Sequence, residues 1–252
     1  MSETSEENER QIVAECMHHL PDKMHKDDGE VLLTILYKIG VLTKYYDAAV
    51  RRAEEDREYY YYQIEFSDYF DFEGDAEIDS QGRITFLHFW RSVTSYNGGN
   101  VTSYNLPPII ERLQKLQRIH LWDCQLLPIE LGNLPLLKSI TFDCCDPTLF
   151  ESIPDGMVLS ALIQVKLSGI DESCTSLPAF WKILPDTLEE LLFDKATREE
   201  SDEILCALQN HDDFGFRDSL TKIEMFDGKL NERDLERLLF EILPRFAKPS
   251  YT

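Results

Sequence analysis

A short apolar frame recurs six times between residues 84 and 225, and it limits the folds open to this chain more than any other feature. In each copy, three apolar residues stand at the first, fourth and sixth positions of a six-residue stretch. The copies occupy residues 84–89, 116–121, 137–142, 162–167, 188–193 and 220–225. Their central apolar residues are separated by 32, 21, 25, 26 and 32 residues. An internal repeat of this kind indicates stacked units that bury one continuous core.

The repeated stretches resemble the leucine-rich repeat family, whose strands carry the pattern L-x-x-L-x-L. Three of the five intervals fall within the roughly 20–29 residues of that family, and the two longer ones imply insertions. Residues 127–134 are similar to the continuation L-P-x-x-L-G-x-L of the plant-type class, and Cys124 and Cys145 take the family's Asn/Cys position. Residues 32–37 and 82–85 resemble the helix and the Gly-Arg-Ile-Thr signature of its N-terminal cap. The paired cap cysteines of secreted members are missing, which favours an intracellular member.

This resemblance implies an α/β fold: a leucine-rich repeat solenoid with a parallel β-sheet on its concave face, an α-helical N-terminal cap and a C-terminal capping helix. We expect a disordered tail and a short helix in residues 1–26, the helical cap in 27–80, about six irregular repeats in 81–230 and the C-terminal capping helix in 231–252. Within the first segment, the polar residues 1–8 predict disorder. Apolar residues at helical spacing predict a helix from about Glu9 to Leu20.

The balance of charge excludes two classes of partner. The chain has 47 acidic residues against 25 Lys and Arg, a net charge of −22. Nucleic acids and anionic membranes attract Lys and Arg, so we expect no nucleic-acid and no membrane partner. No stretch approaches the roughly 20 apolar residues of a membrane span, and the acidic N-terminus does not read as a signal peptide. Six cysteines without a C-x-x-C pair fit a reducing compartment, so we expect a cytoplasmic protein.

The sequence offers little support for catalysis. It contains none of the motifs of phosphate-binding loops, dinucleotide-binding folds, zinc proteases or serine hydrolases. Cys145 falls at a position expected to be buried, and Cys144 has only carboxylates nearby, which disfavour a reactive thiolate. His88 and His120 supply too few ligands for zinc, because their column continues with a threonine and a lysine. We therefore predict no enzyme activity, no metal and no cofactor.

The frame also predicts which side chains face outward. Because side chains alternate along a strand, residues between the apolar positions belong to the exposed concave face. Trp90 and Trp122 are expected to stack there beside two histidines, and tryptophan and arginine are enriched in interface hot spots. The predicted protein-binding residues are His88, Trp90, Arg91, Arg118, His120, Trp122, Asp123, Asp143, Lys166, Asp194, Glu224 and Phe226. In the alternative, the insertion 95–104 folds over the tryptophans and makes them part of the core.

The resemblance to the family implies a non-catalytic scaffold or adaptor, expected to be monomeric, that binds a partner protein through the concave face. Carboxylates on successive strands suit a partner with a basic surface, although they also fit the ordinary solvated surface of an acidic chain. A second hypothesis is a small-molecule-sensing or enzyme-regulatory module that uses the Trp90/Trp122 patch. A third is that the acidic N-terminal third mimics nucleic acid and occupies a basic protein.

Overall fold

The computed structural model describes residues 3–42, 75–89, 103–145, 148–169, 183–194 and 219–226. The described helices are α1 (Glu3–Cys16), α2 (Lys26–Lys38) and α3 (Thr148–Glu151), with 3-10 helices at Met17–His19, Pro108–Arg112 and Ile129–Asn133. The described strands are β1 (Ala76–Ile78), β2 (Ile84–Phe89), β3 (Tyr104–Asn105), β4 (Arg118–Trp122), β5 (Cys124–Leu126), β6 (Ser139–Asp143), β7 (Gln164–Ser168), β8 (Glu190–Asp194) and β9 (Lys222–Phe226). The capping helix expected in 231–252 lies outside the described residues, as does the cap segment 43–74.

Seven of the described strands form one sheet, and they follow one another across it in chain order, β1-β2-β4-β6-β7-β8-β9. The edge strand β1 is antiparallel to β2, and every later neighbour is parallel. The remaining strands, β3 and β5, form a separate parallel pair. The central apolar residues of the repeated frame are register partners, from Leu87 and Ile119 to Leu191 and Ile223. The prediction of an α/β fold with a parallel sheet is confirmed.

One face of the sheet packs against the hydrophobic core. Along β6, Ile140 and Phe142 are buried, whereas the residues on either side of them are partly exposed. The first leucine of the frame is buried as well, as Leu116 and Leu162 illustrate. Burial of a side chain of this size contributes about 1.5–3 kcal/mol. The repeated leucines are therefore a main source of stability in the described sheet.

The carboxylate of Asp28 fastens the start of α2 to the start of β2. Its Oδ2 accepts a hydrogen bond of 2.8 Å from the backbone N–H of Ile84. Its Oδ1 lies 2.7 Å from Nη2 of Arg83. The Asp28 side chain is only 1% exposed, so this ion pair has little access to water. Two residues of the Gly-Arg-Ile-Thr segment are thereby tied to the helix.

Gly82 allows the chain to pass close to the residues that precede α2. Its φ of +76° lies in the left-handed region, and a Cβ there would overlap the carbonyl oxygen of Lys23. The carbonyl of Gly82 also accepts a hydrogen bond of 2.8 Å from the backbone N–H of His25. Only glycine can adopt this φ without strain and, lacking a Cβ, lie this close to the Lys23 carbonyl.

The first helix starts earlier than the sequence suggests. α1 begins at Glu3, whereas residues 1–8 were expected to be disordered and the helix to begin near Glu9. The early acidic residues are compatible with a helix, because carboxylates near a helix N-terminus interact favourably with its dipole. The second half of α1 is fixed by the buried residues Ile12 and Val13. The apolar pattern covers only that half and so predicted a shorter helix.

Three strands end in the same unusual conformation. Asp123, Cys144 and Gly169 directly follow β4, β6 and β7, and their φ values are +52°, +49° and +58°. The chain therefore turns at the same point after each of these strands. The next residue in two of the repeats, Cys124 or Cys145, is buried. The Cys145 thiol donates a hydrogen bond of 3.4 Å to the carbonyl of Leu121 on a neighbouring strand.

None of the helices in the described ranges combines the length and the hydrophobicity that crossing a bilayer requires.

Candidate functional site

The face of the sheet opposite the core carries mostly polar side chains, aligned from strand to strand. His88, His120, Thr141 and Lys166 are successive register partners on β2, β4, β6 and β7. A second row runs through Arg118, Ser139, Gln164 and Glu190, and a third through Trp122, Asp143, Ser168 and Asp194. We call the surface formed by these three rows the polar sheet face.

The first two residues of the first row, His88 and His120, form a pair of stacked imidazoles. The ring centroids of His88 and His120 lie 3.9 Å apart, and their planes differ by 11°. His120 Nε2 is 3.4 Å from Oδ2 of Asp143, and His88 Nδ1 is 3.9 Å from Oδ1 of Asp75. The pair is thus flanked by one carboxylate on each side. The His88 side chain is 10% exposed and that of His120 is 22% exposed.

Burial and the neighbouring imidazole determine the charge of His88. Burial, followed by the proximity of His120, lowers the pKa of His88 to about 3, while Asp143 acts in the opposite direction. His88 is therefore neutral at physiological pH. This differs from the prediction of an exposed histidine: the alternation pattern assigned the correct face, but the side chain is buried there.

Asp143 is an ionised carboxylate at the third row. Burial alone would raise its pKa, but favourable polar contacts with His120, Cys144 and Ser168 outweigh that effect and hold the pKa of Asp143 below its usual value. Favourable contacts to the charged form explain the direction of this shift. Asp143 thus remains a negative charge beside the stacked histidines.

Arg118 is the most exposed charged residue among those predicted for this face and described in the structure. Its side chain is 50% exposed, and its Nη2 lies 2.6 Å from Oε2 of Glu77. Its guanidinium carbon also lies 4.7 Å from the ring centroid of Phe86. A guanidinium over an aromatic ring is a cation–π contact, which orients the arginine head group. The side chain is therefore held at the surface in a defined position.

Polar side chains further along the sheet bind one another across the strands. Ser139 Oγ donates to Gln164 Oε1 at 2.8 Å, and Gln164 Nε2 donates to Glu190 Oε2 at 2.6 Å. Lys166 Nζ lies 3.1 Å from Oδ2 of Asp194. These contacts connect β6, β7 and β8 along the exposed face, so the polar groups are positioned in advance of any partner.

The structure places most of the predicted binding residues on or beside this face. Arg118, His120, Trp122, Asp143, Lys166 and Asp194 lie on it, and all except Arg118 are partly buried. Asp123 follows the end of β4 in the left-handed conformation described above. Glu224 and Phe226 lie on β9, as the register partners of Leu192 and Asp194. Trp90 and Arg91 lie outside the described residues, and so does the insertion through residue 102. The stacking of Trp90 on Trp122, and the alternative in which the insertion covers them, therefore both stay predictions.

Several residues of the face were not selected from the sequence. Ser139, Gln164 and Glu190 occupy the position before the central apolar residue, so the frame itself contains the signal for them. Asp75 and Glu77 come before the first copy of the frame. A turn at 79–82 between Ile78 and Ile84 is the hairpin signal that identifies β1 as a neighbour of β2.

Burial makes three of the described thiols poor nucleophiles. Burial raises the pKa of Cys16 to about 11 and that of Cys124 to about 12. Burial also raises the pKa of Cys145 well above its usual value. In the described part of the chain, no group of three or more His, Cys, Asp or Glu side chains is arranged to hold a metal ion.

Comparisons of the chain with protein-family models, with curated proteins and with solved structures find no match.

Proposed function

We propose that this chain is a leucine-rich repeat protein, related most to the plant-type class, and that it is a non-catalytic scaffold or adaptor. In this proposal the repeats form a solenoid, the polar sheet face is its concave surface, and a partner protein binds there. The protein is a cytoplasmic monomer in its unbound state.

One observation carries the proposal. Residues at equivalent positions of five parallel strands lie in register on a single face, while the residues between them are buried on the other. Such a sheet presents side chains at regular intervals over a wide, rigid surface. Repeat architectures use extended surfaces of this kind to bind other molecules.

The chemistry of the face favours a protein partner. Arg118 and Trp122 are of the residue types that contribute most to protein interfaces, and both are accessible at least in part. Asp143, Glu190 and Asp194 add carboxylates that suit a partner with a basic surface. Charge complementarity of this kind accelerates association and selects between partners.

Affinity capture followed by measurement of the dissociation constant tests the proposal. The double variant Arg118→Ala/Trp122→Ala removes two anchors from the face. We expect it to bind the captured partner at least tenfold more weakly than the wild type. The control, Arg112→Ala/Ile129→Ala, changes one exposed arginine and one exposed apolar side chain on the 3-10 helices. We expect it to bind like the wild type.

Circular dichroism and urea unfolding establish that both double variants are folded. Equal binding by the two variants would show that the partner does not use this face. Preferential binding of duplex DNA or of anionic vesicles by the wild type would show that the class of partner is wrong.

A further inference from the structure

Electrostatic repulsion limits the stacked pair His88–His120 to one positive charge. At a centroid separation of 3.9 Å, two protonated imidazoles would be like charges in contact within a partly buried site, where repulsion is stronger than in water. A single proton meets no such penalty. The resulting positive charge is also stabilised by the carboxylate of Asp143, whose Oδ2 lies 3.4 Å from His120 Nε2.

Of the two imidazoles, His120 is the better place for that proton. Its side chain is about twice as exposed as that of His88 and has the shorter carboxylate contact, 3.4 Å against 3.9 Å. A charged group that keeps contact with water loses less solvation energy on burial. The proton on His120 is thus both better hydrated and better paired than one on His88.

The sheet around the pair, from β1 to β7, carries further charged and titratable groups. The segment at β1 contributes two carboxylates, β4 contributes an arginine and the aspartate after it, β6 contributes an aspartate and the cysteine after it, and β7 contributes a lysine. In the same order, these residues are Asp75, Glu77, Arg118, Asp123, Asp143, Cys144 and Lys166. Arg118 is paired with Glu77, and Lys166 is paired with Asp194. The carboxylates nearest the imidazoles, Asp75 and Asp143, therefore dominate the local field.

We propose that the His88–His120 pair is a single-proton switch: it takes up one proton, on His120, as the pH falls from 8 to 5, and adds one positive charge to the polar sheet face. Histidine is the side chain whose charge changes in this range. His88 stays neutral over the same interval, in keeping with its lowered pKa of about 3.

The switch has a direction. Its effect on binding rests on the proposed function, in which the face binds a basic surface. A positive charge on His120 opposes such a partner, so binding weakens on acidification. We expect the dissociation constant to rise about fivefold between pH 8 and pH 5.5, which corresponds to a repulsion of roughly 1 kcal/mol between the two charges across a hydrated interface.

Nuclear magnetic resonance of the full chain with ¹³C-labelled histidine tests the switch without a partner. Signals are assigned with His88→Gln and His120→Gln. We expect the Cε1–Hε1 signal of His120 to move through a full titration step between pH 8 and pH 5 while that of His88 stays in place. Movement of both signals, of neither, or of His88 alone would overturn the proposal.

Binding of the captured partner at pH 8 and pH 5.5 tests the consequence. We expect His120→Gln to bind equally at both values. The control His18→Gln changes an exposed histidine on a distant 3-10 helix and should follow the wild type. A wild-type affinity that is independent of pH would refute the regulatory effect. Failure to capture any partner would count against the proposed function, and the resonance titration would still decide the switch.

Discussion

Asp28 shows what a single buried charge does in this fold. Its carboxylate pairs with Arg83 and accepts a hydrogen bond from Ile84, and it is almost inaccessible to water. Asp28 and Arg83 stabilise each other's charge, because an unpaired charge with so little access to water is strongly unfavourable. The residue therefore determines how α2 is attached to β2.

Replacing this carboxylate by an amide should be costly. We expect Asp28→Asn to lower the free energy of unfolding by about 3 kcal/mol, because it leaves the Arg83 guanidinium without its counter-charge. Urea unfolding measures the loss. The neighbouring Asp27→Asn is the matched control, since the Asp27 side chain is 70% exposed and its removal should change stability by less than about 0.5 kcal/mol. Equal losses in the two variants would show that the buried pair has no special role.

His88 makes stability depend on pH. Its pKa is about 3 in the folded chain, against 6.5 for an ordinary histidine, so the unfolded chain binds more protons between these values. The contribution of neutral His88 is complete above about pH 6.5 and is lost as the pH falls toward 3. Between pH 7.5 and pH 5.5 the wild type should lose about 1.4 kcal/mol more than His88→Gln.

The free energy of unfolding in urea at the two pH values provides that comparison. The quantity of interest is the change with pH, because the substitution also alters packing at every pH. His18→Gln should retain the wild-type dependence. If wild type and His88→Gln lose the same stability, His88 is not the buried neutral histidine described above.

At the scale of the elements, the junction between the helices and the sheet depends on one backbone conformation. Gly82 combines a left-handed φ with a close approach to the Lys23 carbonyl, whereas Gly40 has a similar φ of +83° but nothing within 4 Å of its would-be Cβ. The two glycines therefore separate the cost of the conformation from the cost of the clash.

Substitution by alanine at both glycines tests this distinction. Gly40→Ala should lose about 1–2 kcal/mol, the cost of a left-handed residue with a Cβ. Gly82→Ala should lose at least about 2 kcal/mol more, because the turn before β2 must also move away from the Lys23 carbonyl that precedes α2. Thermal and urea unfolding measure both. A loss at Gly82 no greater than that at Gly40 would mean that the junction adjusts easily.

The turn after the strands is an element-scale feature that the sequence does not reveal. Asp123, Cys144 and Gly169 adopt the same left-handed conformation although they share no side-chain property. Glycine and aspartate are known to tolerate this region, but cysteine is not favoured there. The conformation follows from the shared geometry of the strand ends, which overrides the local preference at Cys144.

For the whole molecule, the repeated frame predicted the parts of the fold that depend on a period. The parallel sheet and the pairing of residues such as Ile140 with Val165 follow from apolar residues at fixed offsets, because a slip of one residue would move them to the wrong face. The same alternation predicted that Arg118 and Lys166 point away from the core. It did not predict the burial of His88, since that depends on neighbouring residues such as Asp75 and His120. The early start of α1 was missed for a related reason: its first turns carry no apolar stripe.

The order of the strands has a consequence for how such a chain changes over generations. Each strand of the main sheet pairs only with the strands that come before and after it among the members of that sheet. A tandem duplication of one interval would therefore insert a new strand between two existing ones, and every other pairing would be kept. A deletion would bring two compatible strands together in the same way. The sheet would thus widen or narrow by one strand at a time. Insertions that change the distance between two strands would lengthen the connections outside the sheet.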